Sequence, residues 1–122
     1  MPVFSRIKNE ALVLTADGDY TPNELRRVGF KAFESAETPT PTPVILDLSG
    51  AAGLGSKSTE DLAATGAIFG AFRDRIAGLA VVVPPEFGPK FDAGSPFALE
   101  AGGRVRACQS HASAIAWLAG PS

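Results

Sequence analysis

Residues 44–50, with the sequence Val-Ile-Leu-Asp-Leu-Ser-Gly, decide the fold of this chain. A compact apolar run that stops at a serine and a glycine is typical of a parallel strand buried in the middle of a sheet. A loop rich in glycine and serine follows, and a helix is predicted from about Thr59 to Arg75 with Ser58 as its N-cap. A buried strand joined by a short loop to a helix indicates an α/β protein.

Two short strands are predicted before this one, at Val3–Lys8 and Ala11–Ala16. Because only Asn9 and Glu10 separate them, we expect an antiparallel hairpin. Residues Thr38 to Pro43 alternate threonine and proline, which favours an extended connection. We interpret that segment as a surface loop inserted within one domain.

The first helix has a strong start signal. Thr21 is placed to act as N-cap, Pro22 occupies the first helical position, and Glu24 follows three residues after the threonine. This spacing predicts a capping box, in which the two side chains satisfy free N–H groups at the helix start.

Two further strands are predicted on the C-terminal side, at Ala77–Val83 and Arg104–Cys108, and Ser110 is expected to cap a terminal helix. Residues 86–103 contain several glycines and prolines, so any helix there is expected to be short or broken. The pattern gives no sharper prediction for that segment.

The order of elements predicts an α/β fold: a single, mostly parallel five-stranded sheet with an N-terminal antiparallel hairpin strand, flanked by helices. Val44–Leu48 and Ala80–Val83 are expected to be its buried middle strands. With 122 residues, the chain is long enough for one self-sufficient core, and we expect one domain spanning residues 1–122.

Charge and composition exclude several classes of protein. Eleven Lys and Arg against thirteen Asp and Glu give a net charge of −2, and the cations are scattered. Nucleic-acid binders generally carry a clustered cationic face, so no nucleic-acid partner is expected. The longest apolar stretch, Ile76 to Val83, is too short for a membrane helix, and residues 1–8 lack the apolar core of a signal peptide. We therefore expect no membrane insertion and a cytoplasmic location.

No catalytic, cofactor or metal site is predicted. Residues 50–58 lie between a strand and a helix, as a phosphate-binding loop does, but Ser56 separates Lys57 from the last glycine. That register misses the P-loop pattern, so no nucleotide site is expected. Cys108 and His111 are the only residues of their types, and a strand residue beside a helix-start residue is not aimed to form a nucleophile–base pair. We expect His111 to have no role and the protein not to be an enzyme.

Several short motifs resemble the STAS domain family, and its SpoIIAA-like branch in particular. They are the strand at 44–50, Gly-Asp-Tyr-Thr at 18–21, Ser-Thr-Glu-Asp-Leu at 58–62 and Ala-Trp-Leu at 116–118. STAS domains include bacterial anti-sigma-factor antagonists and the cytoplasmic tails of anion transporters, and lipid-transfer-like proteins are related to them. The resemblance implies a SpoIIAA-like fold and a non-enzymatic regulatory or protein-interaction role, with a protein partner or a homodimer.

The resemblance also points to a regulated serine. In anti-sigma-factor antagonists, a partner kinase phosphorylates a serine that follows an aspartate, in the loop before the second helix. Counting without gaps from residues 47–50 places Ser56 there, although Gly55 precedes it and Lys57 and Ser58 follow. Ser56, Lys57 and Ser58 are therefore the candidate regulatory loop.

Phe87, Phe91 and Phe97 lie in the unassigned segment among prolines. They either cap the sheet or form a lid or contact surface, and in the second case at least one is exposed in the monomer. Lipid-transfer-like relatives bind apolar ligands beside the sheet. A carrier of a small apolar ligand is therefore the alternative function.

Overall fold

The computed structural model describes residues 3–8, 10–35, 41–92, 94–102 and 104–120. It has five strands and four α-helices in these ranges. In chain order they are β1 (Val3–Lys8), β2 (Ala11–Ala16), α1 (Pro22–Glu34), β3 (Thr42–Asp47), α2 (Thr59–Gly70), β4 (Ile76–Val82), α3 (Pro96–Ala101), β5 (Val105–Cys108) and α4 (His111–Ala119). Short 3₁₀ turns occupy Leu54–Ser56, Arg73–Arg75 and Pro85–Lys90.

The five strands form one sheet in the order β1-β2-β3-β4-β5. Strand β1 pairs antiparallel with β2, and the remaining neighbours are parallel. The fold class predicted from the element order is confirmed.

Helices cover both faces of this sheet. Helices α1, α2 and α3 pack on the face that carries Val44 and Leu46, whereas α4 packs on the face that carries Ile45. Because both faces of β3 are buried, the strand is apolar at successive positions rather than at alternate ones. The predicted burial of the two middle strands is confirmed, with Leu46 and Val81 fully buried.

The capping signals are also confirmed. At α1, the Thr21 hydroxyl accepts from the Glu24 amide at 3.2 Å, and the Thr21 amide donates to the Glu24 carboxylate at 3.1 Å. At α2, Ser58 and Asp61 form the same reciprocal pair. Each box satisfies N–H groups that would otherwise lack partners at the helix start.

Two predicted boundaries were wrong. Strand β3 begins at Thr42, which is fully buried, so the end of the predicted Thr38–Pro43 loop belongs to the sheet. Residues 38–40 of that loop lie outside the described residues. Helix α2 ends at Gly70 rather than Arg75, because the chain tightens into 3₁₀ turns around Phe72, whose ring stacks on Phe33 at 4.6 Å.

The segment that gave no clear prediction contains the turn Pro85–Lys90 and the six-residue helix α3, capped by Ser95. Helix α3 packs very closely on α2: a β-carbon on Gly66 would overlap the Phe97 carbonyl oxygen. This contact closes one side of the core. No helix in the described ranges is long and apolar enough to span a membrane.

Candidate functional site

The loops that follow the parallel strands meet at the carboxyl end of the sheet, beyond the last residues of these strands. Gly18, after β2, donates to the Gly50 carbonyl at 2.9 Å and accepts from the Ala52 amide at 2.7 Å. Gly18 has φ of 62°, a conformation that glycine adopts without strain. These bonds hold the loop after β3 against the loop after β2, and the candidate regulatory residues lie in the first of these loops.

Ser56 is exposed on an ordered turn. Residues Leu54–Ser56 form the 3₁₀ turn, and the buried Leu54 side chain anchors it to the core. The turn follows Gly53, which has φ of 72°. The Ser56 hydroxyl donates to the Gly53 carbonyl at 3.0 Å and remains on the surface.

Lys57 is held by Tyr20, in the loop before α1. Its Nζ donates to the Tyr20 carbonyl at 3.1 Å and lies 4.5 Å from the centroid of the Tyr20 ring. Burial, together with the nearby charge of Asp61, raises the pKa of Tyr20 to about 12. The ammonium group therefore has a structural role in joining two loops.

Ser58 is the N-cap of α2. Its hydroxyl accepts from the Asp61 amide at 3.1 Å. Ser56 and Ser58 are both exposed, but the Ser58 hydroxyl accepts a hydrogen bond at the helix start whereas the Ser56 hydroxyl donates one to the Gly53 carbonyl, so the two serines have different roles.

Of the three phenylalanines, Phe87 alone reaches this loop. It is half-buried, and its ring lies 3.5 Å from the position that a β-carbon on Gly55 would occupy. The hypothesis of an exposed aromatic patch is wrong for Phe91 and Phe97, which are both 0% exposed. Their rings pack edge-to-face, 5.1 Å apart, in the core beneath α3, because that short helix and the turn before it bring them inwards.

The core beneath α2 and α3 has little room for a ligand. A cavity of about 30 Å³ lies there, lined in part by Phe69, Leu79 and Val105. Pockets for small molecules generally have volumes of about 300–1,000 Å³. Phe91 and Phe97 thus fill space that an apolar ligand would need.

Sequence reasoning missed a polar cluster at the same carboxyl end of the sheet. Asp47, at the end of β3, accepts from the Ser49 hydroxyl at 2.6 Å and from the Ser49 amide at 2.9 Å. Its other carboxylate oxygen lies 2.7 Å from His111 Nε2, at the start of α4. The prediction that His111 has no role was therefore wrong: it joins α4 to the middle of the sheet.

This cluster does not have the geometry of a nucleophile–base pair. Asp47 lies between Ser49 and His111, so the imidazole contacts the carboxylate rather than the hydroxyl. Burial would raise the pKa of Asp47, but the hydrogen bonds from Ser49 and the contact with His111 outweigh it and hold that pKa below its ordinary value. The carboxylate is the form that the fold favours.

Cys108 lies near the same carboxyl end of the sheet and is buried. Burial raises the pKa of its thiol, so the protonated form is favoured at neutral pH. A reactive cysteine needs the opposite shift. Within the described ranges, no three residues among His, Cys, Asp and Glu come together as metal ligands do.

Comparison with solved structures finds an uncharacterized protein of the DUF3478 family from Shewanella loihica PV-4, which is described as having a SpoIIAA-like fold. The match has a TM-score of 0.62 and covers 95% of this chain and 91% of that chain. This chain has a SpoIIAA-like fold. The sequences are 14% identical, so the likeness concerns the fold alone. No family model matches the chain, and neither does any curated protein.

The Asp47 contacts predict a pH dependence of stability. A carboxyl group whose pKa is lower in the folded state stabilises the protein above its unfolded pKa, about 3.9, and that contribution is lost as the pH falls through the folded pKa. We expect Asp47→Asn to lower the free energy of unfolding by about 1–3 kcal/mol at pH 7. The difference from wild type should shrink below pH 4, as urea unfolding would show.

Asp74→Asn is the matched control, because Asp74 is exposed in the turn Arg73–Arg75. It should change the free energy of unfolding by less than about 0.5 kcal/mol at either pH. An Asp47→Asn effect of the same size at pH 7 and at pH 3 would contradict the account of the cluster.

Proposed function

We propose that this chain is a non-enzymatic, STAS-like regulatory domain. It binds a protein partner through the surface formed by Ser56, Lys57 and Phe87, here called the Ser56 surface, and phosphorylation of Ser56 controls that binding. The observation that carries the proposal is the exposure of the Ser56 hydroxyl on an ordered turn at the start of α2. The resemblance to anti-sigma-factor antagonists, counted without gaps from residues 47–50, supports the choice of this serine.

The turn supports recognition by a kinase and a partner alike. Leu54 anchors it and Lys57 joins it to Tyr20, so little conformational entropy is lost when another protein binds. Phe87 adds a half-buried aromatic ring beside the turn. Aromatic side chains, phenylalanine included, are enriched at protein interfaces.

Gly55 is exposed and lies beside Phe87. A β-carbon there would start 3.5 Å from the Phe87 ring, an ordinary van der Waals contact. The ring therefore packs on the turn, which makes Phe87 part of the surface.

Local charge sets the direction of the switch. A phosphate would add about −1.5 to −2 charges, and Glu60 and Asp61 already lie in the first turn of α2. The N–H groups of this helix start are partly satisfied by the Ser58–Asp61 box, and Lys57 is held by Tyr20. Phosphorylation therefore repels an apolar or acidic partner surface, and we expect it to weaken binding.

Two observations support a non-enzymatic role over catalysis at the carboxyl end of the sheet. Asp47 separates Ser49 from His111, and burial favours the protonated thiol of Cys108. The filling of the core by Phe91 and Phe97 likewise favours a protein partner over a carried apolar ligand.

The proposal is tested by capture of partners from a lysate of the organism that encodes the chain, using Ser56→Glu, Phe87→Ala and wild type as baits. We expect Ser56→Glu and Phe87→Ala each to reduce a specific wild-type partner at least about tenfold, equivalent to about 1.4 kcal/mol. Circular dichroism before and after heating would show that the baits are folded.

Ser113→Glu is the matched control, because Ser113 is exposed in the first turn of α4. The substitution adds the same charge near the start of another helix. It should capture as much partner as wild type. Equal capture by Ser56→Glu and wild type would remove the proposal.

A further inference from the structure

The two edges of the sheet are protected to different extents. Strand β5 has four residues, and the turn Pro85–Lys90 packs against it. Strand β1 has six residues, and all of them except Val3 are exposed. An uncovered edge strand of this length offers free backbone N–H and C=O groups to another strand.

The uncovered edge is also apolar on both faces of the sheet. Phe4 is 45% exposed and Ile7 is 48% exposed, and they are two of the four exposed large hydrophobic residues in the described ranges. Opposite residues of an antiparallel pair share a face. Ile7 lies opposite Leu12, on the face covered by α1, and Phe4 lies opposite Thr15, on the other face.

We propose that two copies of this chain form a homodimer by antiparallel pairing of their β1 strands, with Ser5 on the two-fold axis. In this register, Val3 faces Ile7 of the second copy, Phe4 faces Arg6 of the second copy, and the two Ser5 residues face each other. Two apolar pairs, two cation–aromatic pairs and a hydroxyl pair result, all of which are favourable across strands.

The neighbouring symmetric registers are less favourable. A two-fold axis through Arg6 would place the two Arg6 side chains directly opposite each other, and like charges in that position destabilise a sheet. An axis through Phe4 would pair Val3 with Ser5 instead of Ile7 and would take Arg6 away from the Phe4 ring. Cations on an edge strand usually discourage pairing, but in the Ser5 register Arg6 faces an aromatic ring.

A groove beside β1 has room for a side chain of the second copy. It has a volume of about 520 Å³ and lies between β1 and α1, where Val3, Val28 and Lys31 line it. Ile7 of the second copy, placed opposite Val3, enters this groove. The alkyl part of Lys31 can cover it while the ammonium group stays in water.

Cysteine cross-linking tests both the dimer and its register. Residues paired directly across an antiparallel ladder have Cα atoms about 5.5 Å apart, within the range that a disulfide spans. We expect Ser5→Cys, oxidised with glutathione disulfide, to give a covalent species of twice 12.6 kDa. Arg6→Cys is the matched control: its two copies would lie about 8 Å apart and stay uncrosslinked. Wild type controls for the buried Cys108.

Sedimentation velocity over a concentration series provides an independent measurement. Ile7→Lys should weaken self-association about tenfold or more, whereas Leu99→Lys, at a 71% exposed position of α3, should leave it unchanged. A monomer at every concentration without a Ser5→Cys cross-link would overturn the proposal. Cross-linking through Arg6→Cys instead of Ser5→Cys would overturn it as well. The Ser56 surface is not part of this interface, so each proposal can fail without the other.

Discussion

Replacing Phe97 with alanine is expected to lower the free energy of unfolding by about 3–5 kcal/mol. The side chain is 0% exposed, and its ring centroid lies 5.1 Å from that of Phe91 and 6.1 Å from that of Phe69. Truncation would leave a cavity between α2, α3 and the sheet, which the close backbone contact at Gly66 prevents from collapsing freely. Urea unfolding at neutral pH measures the effect.

Leu99→Ala provides the control on the same helix. Leu99 is 71% exposed, and its truncation should change the free energy of unfolding by less than about 0.5 kcal/mol. A loss of less than about 1 kcal/mol for Phe97→Ala would show that the ring is not a core element. The exposed aromatic patch, one of the two alternatives that the sequence left open, would then be the better interpretation.

Replacing Gly66 with alanine should destabilise the protein, although alanine is the better helix former by about 1 kcal/mol. A β-carbon there would overlap the Phe97 carbonyl oxygen and lie 2.9 Å from the carbonyl carbon and 3.0 Å from the Cα atom of the same residue. Backbone atoms cannot turn aside as a side chain does, so α2 and α3 must separate. We expect a net loss of about 1–3 kcal/mol, again measured by urea unfolding.

The same substitution at Gly29 tests whether the loss of stability at Gly66 comes from close packing against α3. Gly29 lies in α1, and a β-carbon there would meet Ile68 Cγ2 at 3.9 Å, an ordinary contact. Gly29→Ala should therefore be neutral or stabilising by up to about 1 kcal/mol. Two variants that shift stability in the same direction would contradict the close packing of α2 on α3.

The elements that followed from local patterns were the ones with a single dominant signal. The strand at 44–50 could be predicted because burial on both faces makes it continuously apolar. The start of α1 could be predicted because Thr21, Pro22 and Glu24 carry their capping role in their spacing. Such signals involve neighbours in the sequence and need no knowledge of tertiary contacts.

The segment 86–103 could not be predicted in the same way. Its helix α3 has six residues, too few for a periodic pattern, and its position depends on contacts with Gly66 and Gly70 of α2. The burial of Phe91 and Phe97 follows from those contacts. The sequence therefore left open whether these phenylalanines cap the sheet or form a surface patch, and the structure has Phe91 and Phe97 in the core.

Only part of the candidate site could be predicted from the sequence. The position of Ser56 followed from a resemblance, whereas its exposure and the contact between Gly55 and Phe87 depend on the folded turn. Asp47 and His111 are 64 residues apart in the chain. The one signal in the sequence was a carboxylate within an apolar strand, since a buried charge requires partners.

The central claim is that Ser56 is the regulated residue, and mass spectrometry of the protein purified from its own organism tests it most directly. Peptides that contain residues 53–61 should be compared between the partner-bound and partner-free fractions. The account predicts phosphate on Ser56 in the partner-free fraction, none in the bound fraction, and none on the capping Ser58 in either. Unmodified Ser56 in both fractions, or phosphate on Ser58 instead, would contradict it.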